Sequence, residues 1–252
     1  MKKPVKRALI IVASILIIIV ATGVFIFSKF KSETSKMHPC PTQELVKGVF
    51  SINDSYVNMY LVKDSDNYIA VDAGSSVSAI EKGLKSLNID RNKVTAVLLT
   101  HTDNDHVAAI SLFKNAIVYF SKEEEQMING KTVRAAGMHN KIDTKQYTVL
   151  DDGQTLTIGR FIIKGILVPG HTPGLMCYLI DHRWLFTGDA FGIYDGKIIP
   201  FNNYFNMNTP QAINSISKLT SLTGVEAVFT AHYGYSSEFT RMADEWNKSA
   251  DK

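Results

Sequence analysis

The sequence predicts an α/β domain of two sheets packed face to face with helices outside, four layers in the order αββα, preceded by one transmembrane helix. Three observations carry this. From about residue 45 the elements read strands, helix, strand, helix, and the same order then repeats. Residues 8–27 are 20 uncharged, mostly apolar positions, which as a helix span roughly 30 Å, the thickness of a bilayer's hydrocarbon core. The residues best suited to bind metal each follow an apolar run, as loop residues at the carboxyl ends of buried strands do.

In chain order, the apolar segment and its basic flank (Lys2, Lys3, Lys6, Arg7) form an anchor over 1–29. A cleaved secretory signal is the competing reading, although Ala21-Thr22-Gly23 is only a passable cleavage site. The excess of Lys and Arg before the span over that after it favours an inside N-terminus and an exported domain. Residues 30–44 read as a polar stalk ending in His38-Pro39-Cys40-Pro41, and 45–252 as the catalytic domain. Strands are expected at 48–52, 56–62 and 67–71, a helix over 77–87 capped by Ser75-Ser76, and a strand at 93–99. A metal loop at 100–106 leads into a helix reaching Phe113. A strand at 116–120 precedes a helix over 122–127 whose Glu123-Glu124-Glu125 run reads as a solvated first turn. Residues 130–145 carry no periodicity and read as a loop beside the site. Strands at 154–158, 161–168, 174–180 and 184–187 follow. A helix from Pro210 to Gly224, a strand at 225–230 and a helix over 236–246 complete the chain.

The charge balance excludes one class of partner. Residues 1–36 hold 7 Lys+Arg against one acid, leaving 20 of the 27 basic and 23 of the 24 acidic residues in the other 216, a net of −3. A domain of that charge presents no broad basic surface, so no nucleic acid is expected. The only two cysteines, Cys40 and Cys177, form no CxxC motif, and buried or free thiols are the reading preferred over a disulfide.

Chemistry concentrates in Thr100-His101-Thr102-Asp103-Asn104-Asp105-His106, where two imidazoles and two carboxylates offer N and O ligands suited to zinc, manganese or iron(II). His171, Asp189 and His232 recur in the same setting, each at the end of an apolar run with glycine or another small residue beside it. His38, His139 and His182 fall in a stalk, a loop and a turn and read as solvent-exposed. Tyr194, Phe201, Tyr204, Tyr233 and Tyr235 read as packing residues that could also line a cleft.

These features together, in order, resemble the metallo-β-lactamase fold superfamily over nearly the whole chain from about Leu45 to Glu238. They are Val71-Asp72-Ala73-Gly74, residues 100–106 against the family's HxHxDH, Pro169-Gly170-His171-Thr172-Pro173-Gly174, Thr187-Gly188-Asp189 and Ala231-His232. The resemblance implies that His101 and His171, with Asp103, hold metal one. It implies that Asp105, His106 and His232 hold metal two, that Asp189 bridges them, and that Asp72 orients the ligand loop. Asp103 replaces the family's second histidine. With two divalent ions and a bridging hydroxide, the three carboxylates make the ligand shell neutral instead of +1, a weaker Lewis acid that favours hard, oxygen-preferring ions.

One or two divalent ions are therefore expected, zinc first, with manganese or iron as alternatives. The expected chemistry is hydrolysis of an ester, thioester, lactone, amide or phosphoester bond in a small-molecule substrate by a metal-activated water, with Asp105 taking or returning the proton. Two other classes compete. One is a di-iron redox centre, because flavodiiron proteins in the superfamily also place a carboxylate, glutamate, at the position of Asp103. The other is a non-catalytic binding module on the same scaffold. No residue identifies the substrate.

Overall fold

A computed structural model describes residues 3–134, 137, 139–144 and 146–250. The chain divides into two compact units, Met1–Met37 and His38–Lys252. The first is helix α1, Lys3–Thr34, long and apolar enough to cross a membrane. It continues through Thr34 because the polar residues after Phe27 contain neither Pro nor Gly to stop it.

The second unit opens with a seven-stranded sheet in the order β1 to β7: β1 (Gln43–Val46), β2 (Val49–Asp54), β3 (Val57–Asp64), β4 (Asn67–Val71), β5 (Val94–Leu98), β6 (Ile117–Ser121) and β7 (Tyr147–Leu150). The β2–β4 hairpins turn at Ser55 and Ser65, both in left-handed backbone. β4, β5 and β6 then run parallel, so their carboxyl ends meet on one edge. Helix α2 (Val77–Ser86) lies between β4 and β5, with Ser76 Oγ accepting from Ala79 N–H.

The other sheet runs β15-β14-β11-β10-β9-β8: β8 (Thr155–Ile158), β9 (Phe161–Leu167), β10 (Met176–Ile180), β11 (Trp184–Gly188), β14 (Ala227–Thr230) and β15 (Tyr235–Ser236). A separate hairpin, β12 (Phe191–Tyr194) with β13 (Lys197–Pro200), precedes helix α5 (Thr209–Thr220), and α6 (Phe239–Ala250) ends the described chain. Two four-residue helices, α3 (Asn104–Val107) and α4 (Glu125–Ile128), sit at the sheet edge.

Three buried clusters show the layering. Ile52, Leu61, Val97 and Phe120 pack with Ile80 and Leu84 of α2 on the outer face of the first sheet. Tyr60, Ile69 and Leu98 meet Phe161, Tyr178, Phe186 and Phe229 between the sheets. Cys177, Leu185 and Val228 pack with Ile216, Leu219, Phe239 and Met242 of α5 and α6 on the far side. The central strands β10, β11 and β14, and most of β3, β4 and β5, bury both faces, which is why these segments read as near-continuous apolar runs. The expected αββα sandwich is thus the observed one. Both cysteines are buried free thiols.

Local expectations fail in instructive places. The helix expected to reach Phe113 stops as α3, because Ala108 N–H shares Gly74 O (3.0 Å) with Asn104 O, and Ala109 N–H pairs with Ala73 O (3.2 Å). The loop after β4 competes for the donors a longer helix needs. The last helix starts at Phe239 because Ser236 still pairs with Val228 in β15. Residues 38–44, expected to finish a stalk, are bonded into the second unit: Cys40 N–H donates to Asn58 Oδ1 (2.7 Å) and Ser51 Oγ to Pro41 O (2.6 Å).

Candidate metal centre

The carboxyl ends of the strands converge, and each delivers ligand candidates. β5 leads to residues 101–106, β9 to His171, β11 to Asp189 and β14 to His232. All four imidazoles are buried, and so is Asp189. Gly188 lets Asp189 enter: its φ is +51°, and a Cβ there would lie 2.5 Å from Thr100 Oγ1.

The histidines share one orientation. His101 Nδ1 lies 3.1 Å from Thr100 Oγ1, His106 Nδ1 2.9 Å from Asp72 Oδ2, His171 Nδ1 3.2 Å from Asn206 Oδ1 and His232 Nδ1 2.6 Å from the Tyr56 carbonyl. Thr100 Oγ1 donates to the Asp72 carboxylate and so accepts from His101, which lets Asp72 orient two imidazoles. Each Nε2 therefore faces inward, the orientation that metal-binding histidines need, and on His171 that nitrogen meets Arg134 Nη2 at 2.9 Å.

The inward atoms fall into three overlapping sets, each with ligand atoms within 4.8 Å of one another: His101/Asp103/His171, His101/His106/Asp189 and Asp105/His106/His232. Asp189 joins them, with Oδ1 3.6 Å from His106 Nε2 and 3.2 Å from His232 Nε2, and Oδ2 3.3 Å from His171 Nε2. Among the described residues, His101 Nε2, His106 Nε2 and Asp189 Oδ1 are buried without a hydrogen-bond partner. Orphaned buried polar atoms are costly, and three of them aimed at one point fit a divalent cation.

Charge agrees. Burial opposes protonation of His106, but Asp72, Asp189 and Asp105 reverse this and raise its pKa to about 10. Burial likewise opposes ionisation of Asp189, and His232, His106 and His171 hold its carboxyl below the usual range all the same. The cluster is short of positive charge, which a metal ion would supply.

Asp103 differs from its neighbours. Its Oδ1 accepts from Arg134 Nε (2.8 Å) and Asn140 Nδ2 (2.9 Å), and its Oδ2 pairs with Arg134 Nη2. Burial opposes its ionisation, and His101, His171 and Arg134 together hold it well below the ordinary value.

Several functional residues escape a reading of sequence. Glu124, expected in a solvated turn, is fully buried and accepts from Thr102 N–H (2.8 Å), Thr102 Oγ1 (2.8 Å) and Thr172 Oγ1 (2.7 Å), clamping the 100–106 loop to the 169–174 loop. Gly174 permits this, since a Cβ there would lie 2.2 Å from Glu124 N. His38, read as exposed stalk, donates its backbone N–H to His232 O (2.9 Å). Phe201 packs edge-on against His171 (5.0 Å) and Tyr56 stacks on His232 (5.8 Å), whereas Tyr235 stacks on Phe229. Of the 130–145 loop, Arg134 and Asn140 reach the site; residues 135, 136, 138 and 145 lie outside the described residues.

Comparison with known proteins accords with this geometry. The chain is 35% identical over 137 residues to the probable polyketide biosynthesis zinc-dependent hydrolase BaeB of Bacillus velezensis, covering 52% of this chain and 53% of that protein. It is 28% identical over 191 residues to a hydroxyacylglutathione hydrolase of Aliivibrio fischeri, covering 74% and 65%. The chain thus spans between about half and two thirds of the length of these relatives. Among solved structures, a B3 metallo-beta-lactamase with an active-site glutamic acid shares the fold at a TM-score of 0.65 and 16% identity, covering 89% of this chain and 93% of that one. The family profile of the Metallo-beta-lactamase superfamily matches residues 52–232, most of the chain, and the chain belongs to that superfamily.

Proposed function

We propose that the protein is a zinc-dependent hydrolase of a small-molecule ester, thioester, lactone, amide or phosphoester, held at a membrane by α1 with its catalytic domain outside. One observation carries the reading: four inward Nε2 atoms converge with Asp189, each imidazole braced from behind. The names of the relatives, a zinc-dependent hydrolase and a hydroxyacylglutathione hydrolase, support hydrolysis and zinc.

When bound, zinc lowers the pKa of water and polarises the scissile carbonyl or phosphoryl oxygen. His106, His232, Asp105 and Asp189 are the residues that would hold it, with His101 within reach. Asp72 fixes the rings of His106 and, through Thr100, His101. Asp105 is 22% exposed at its side chain and lies 3.6 Å from His232 Nε2, so it can pass a proton between the site and solvent. Phe201 and Tyr56 wall the histidines on two sides and limit water.

The test is a panel of esters, thioesters, lactones and phosphodiesters given to the full chain in detergent, after chelation and after zinc readdition. Turnover of at least one class that is lost on chelation and restored by zinc is expected. No turnover by zinc-loaded protein, or a coloured, iron-rich protein as purified, would contradict the reading. The anchor is tested separately: α1 kept in mature protein and the domain open to external protease support it, and cleavage after residue 23 contradicts it.

A further inference from the structure

Arg134 enters the centre from a loop and meets two of the candidate ligands. Its Nη2 pairs with Asp103 Oδ2 and lies 2.9 Å from His171 Nε2. Nε donates to Asp103 Oδ1 (2.8 Å), Nη1 to Phe205 O (2.5 Å), and Nη2 also to His171 O (3.3 Å). A guanidinium can only donate, so His171 Nε2 must be the acceptor. The rest of the ring agrees: Nδ1 faces Asn206 Oδ1, whose amide is oriented by Nδ2 donating to Phe201 O (3.4 Å). An imidazole Nε2 has one lone pair and cannot give it both to Arg134 and to a metal. Asp103 is committed too, with Asn140 on the oxygen that Arg134 Nε already uses.

The orphaned atoms lie elsewhere. His106 Nε2 and Asp189 Oδ1 face His232 and Asp105, and His101 Nε2 lies between the two halves, grouped with Asp103 and His171 as well as with His106 and Asp189. Among the described residues no guanidinium or ammonium pairs with Asp105, His106, His232 or Asp189, whereas Arg134 pairs with two of the three residues His101, Asp103 and His171.

We propose that Arg134 replaces the first metal ion, so that the enzyme holds a single zinc at Asp105, His106, His232 and Asp189 and carries a guanidinium at His171 and Asp103. The proposal rests on the metallohydrolase reading. It gives the departure at Asp103 a purpose: a histidine there would repel Arg134 or leave it unpaired, whereas an aspartate holds it in two places. The aspartate is thus an arginine-binding residue and not a metal ligand.

The experiment counts zinc per chain by native mass spectrometry in full-length wild type, Arg134→Ala and Arg134→Met, each equilibrated with a small excess of zinc and desalted. Arg134 lies on a partly exposed loop, and thermal melts of each variant report whether it folds. About one zinc in wild type and about two in both variants are expected, with Arg134→Ala/His171→Ala returning to one. Two in wild type, or one in wild type and both variants, would overturn the proposal while leaving the hydrolase reading intact. No zinc in any of the proteins would overturn that reading, and the proposal with it.

Discussion

The two halves of the metal centre share a scaffold and differ in what occupies them. The Asp105/His106/His232 half and the His101/Asp103/His171 half draw on the same 101–106 loop and both face Asp189. In the first, the buried nitrogen of His106 and Oδ1 of Asp189 have no partner among the described residues, while Asp72 and the Tyr56 carbonyl brace the rings from outside. In the second, a guanidinium meets both His171 and Asp103. One loop residue thus pairs with the candidate ligands of one half and leaves those of the other half to each other. What a position in a motif does depends on what faces it across the cleft.

The largest effect should separate the halves. His106→Ala is expected to lower zinc affinity by more than the roughly 10–100-fold typical of losing an outer partner, whereas His171→Ala should leave the zinc count unchanged. Equal losses in the two variants, measured by competition with a chromophoric chelator, would erase the distinction. Next, Asp72→Ala removes the brace of His106 and, through Thr100, of His101, and should weaken zinc by about 10–100-fold. An affinity within threefold of wild type would show that Asp72 does not orient the ligands.

Glu124 serves both halves equally, and so its loss should be seen in stability. Glu124→Ala leaves Thr102 and Thr172 donors without an acceptor and should cost roughly 2–4 kcal/mol in urea unfolding, against about 1 for Glu124→Gln. A smaller effect of pH follows in metal-free protein. Burial raises the pKa of Glu124 above its ordinary 4.5, the donors from Thr102 and Thr172 only partly opposing it. The folded state thus prefers the protonated acid: stability of wild type relative to Glu124→Gln is fullest below pH 4.5 and falls as pH rises through the raised value. A pH-independent difference would contradict this.

The fold and the strand-end placement of the candidate ligands are legible because their signals are local. His171, Asp189 and His232 each end an apolar run, and a buried parallel strand ends where its apolar run ends. The hairpin of β12 and β13 carries a local signal too, Asp195-Gly196 between the two strands. Glu124 was misread because a run of three glutamates is ordinarily solvated; only the approach of Gly174 makes its position interior. Arg134 gave no signal at all. It lies 31 residues from Asp103, in a segment without periodicity, and the pairing exists only once the loop is folded over the cleft. The sequence shows that Asp103 departs from the family pattern, but the reason for the departure is tertiary.

The most direct measurement of the central claim is an anomalous difference map at the zinc edge from crystals of zinc-loaded protein. A single peak among Asp105, His106, His232 and Asp189, with the Arg134 guanidinium on Asp103, is predicted. A second peak bonded to His171 and Asp103, with Arg134 displaced, would contradict it.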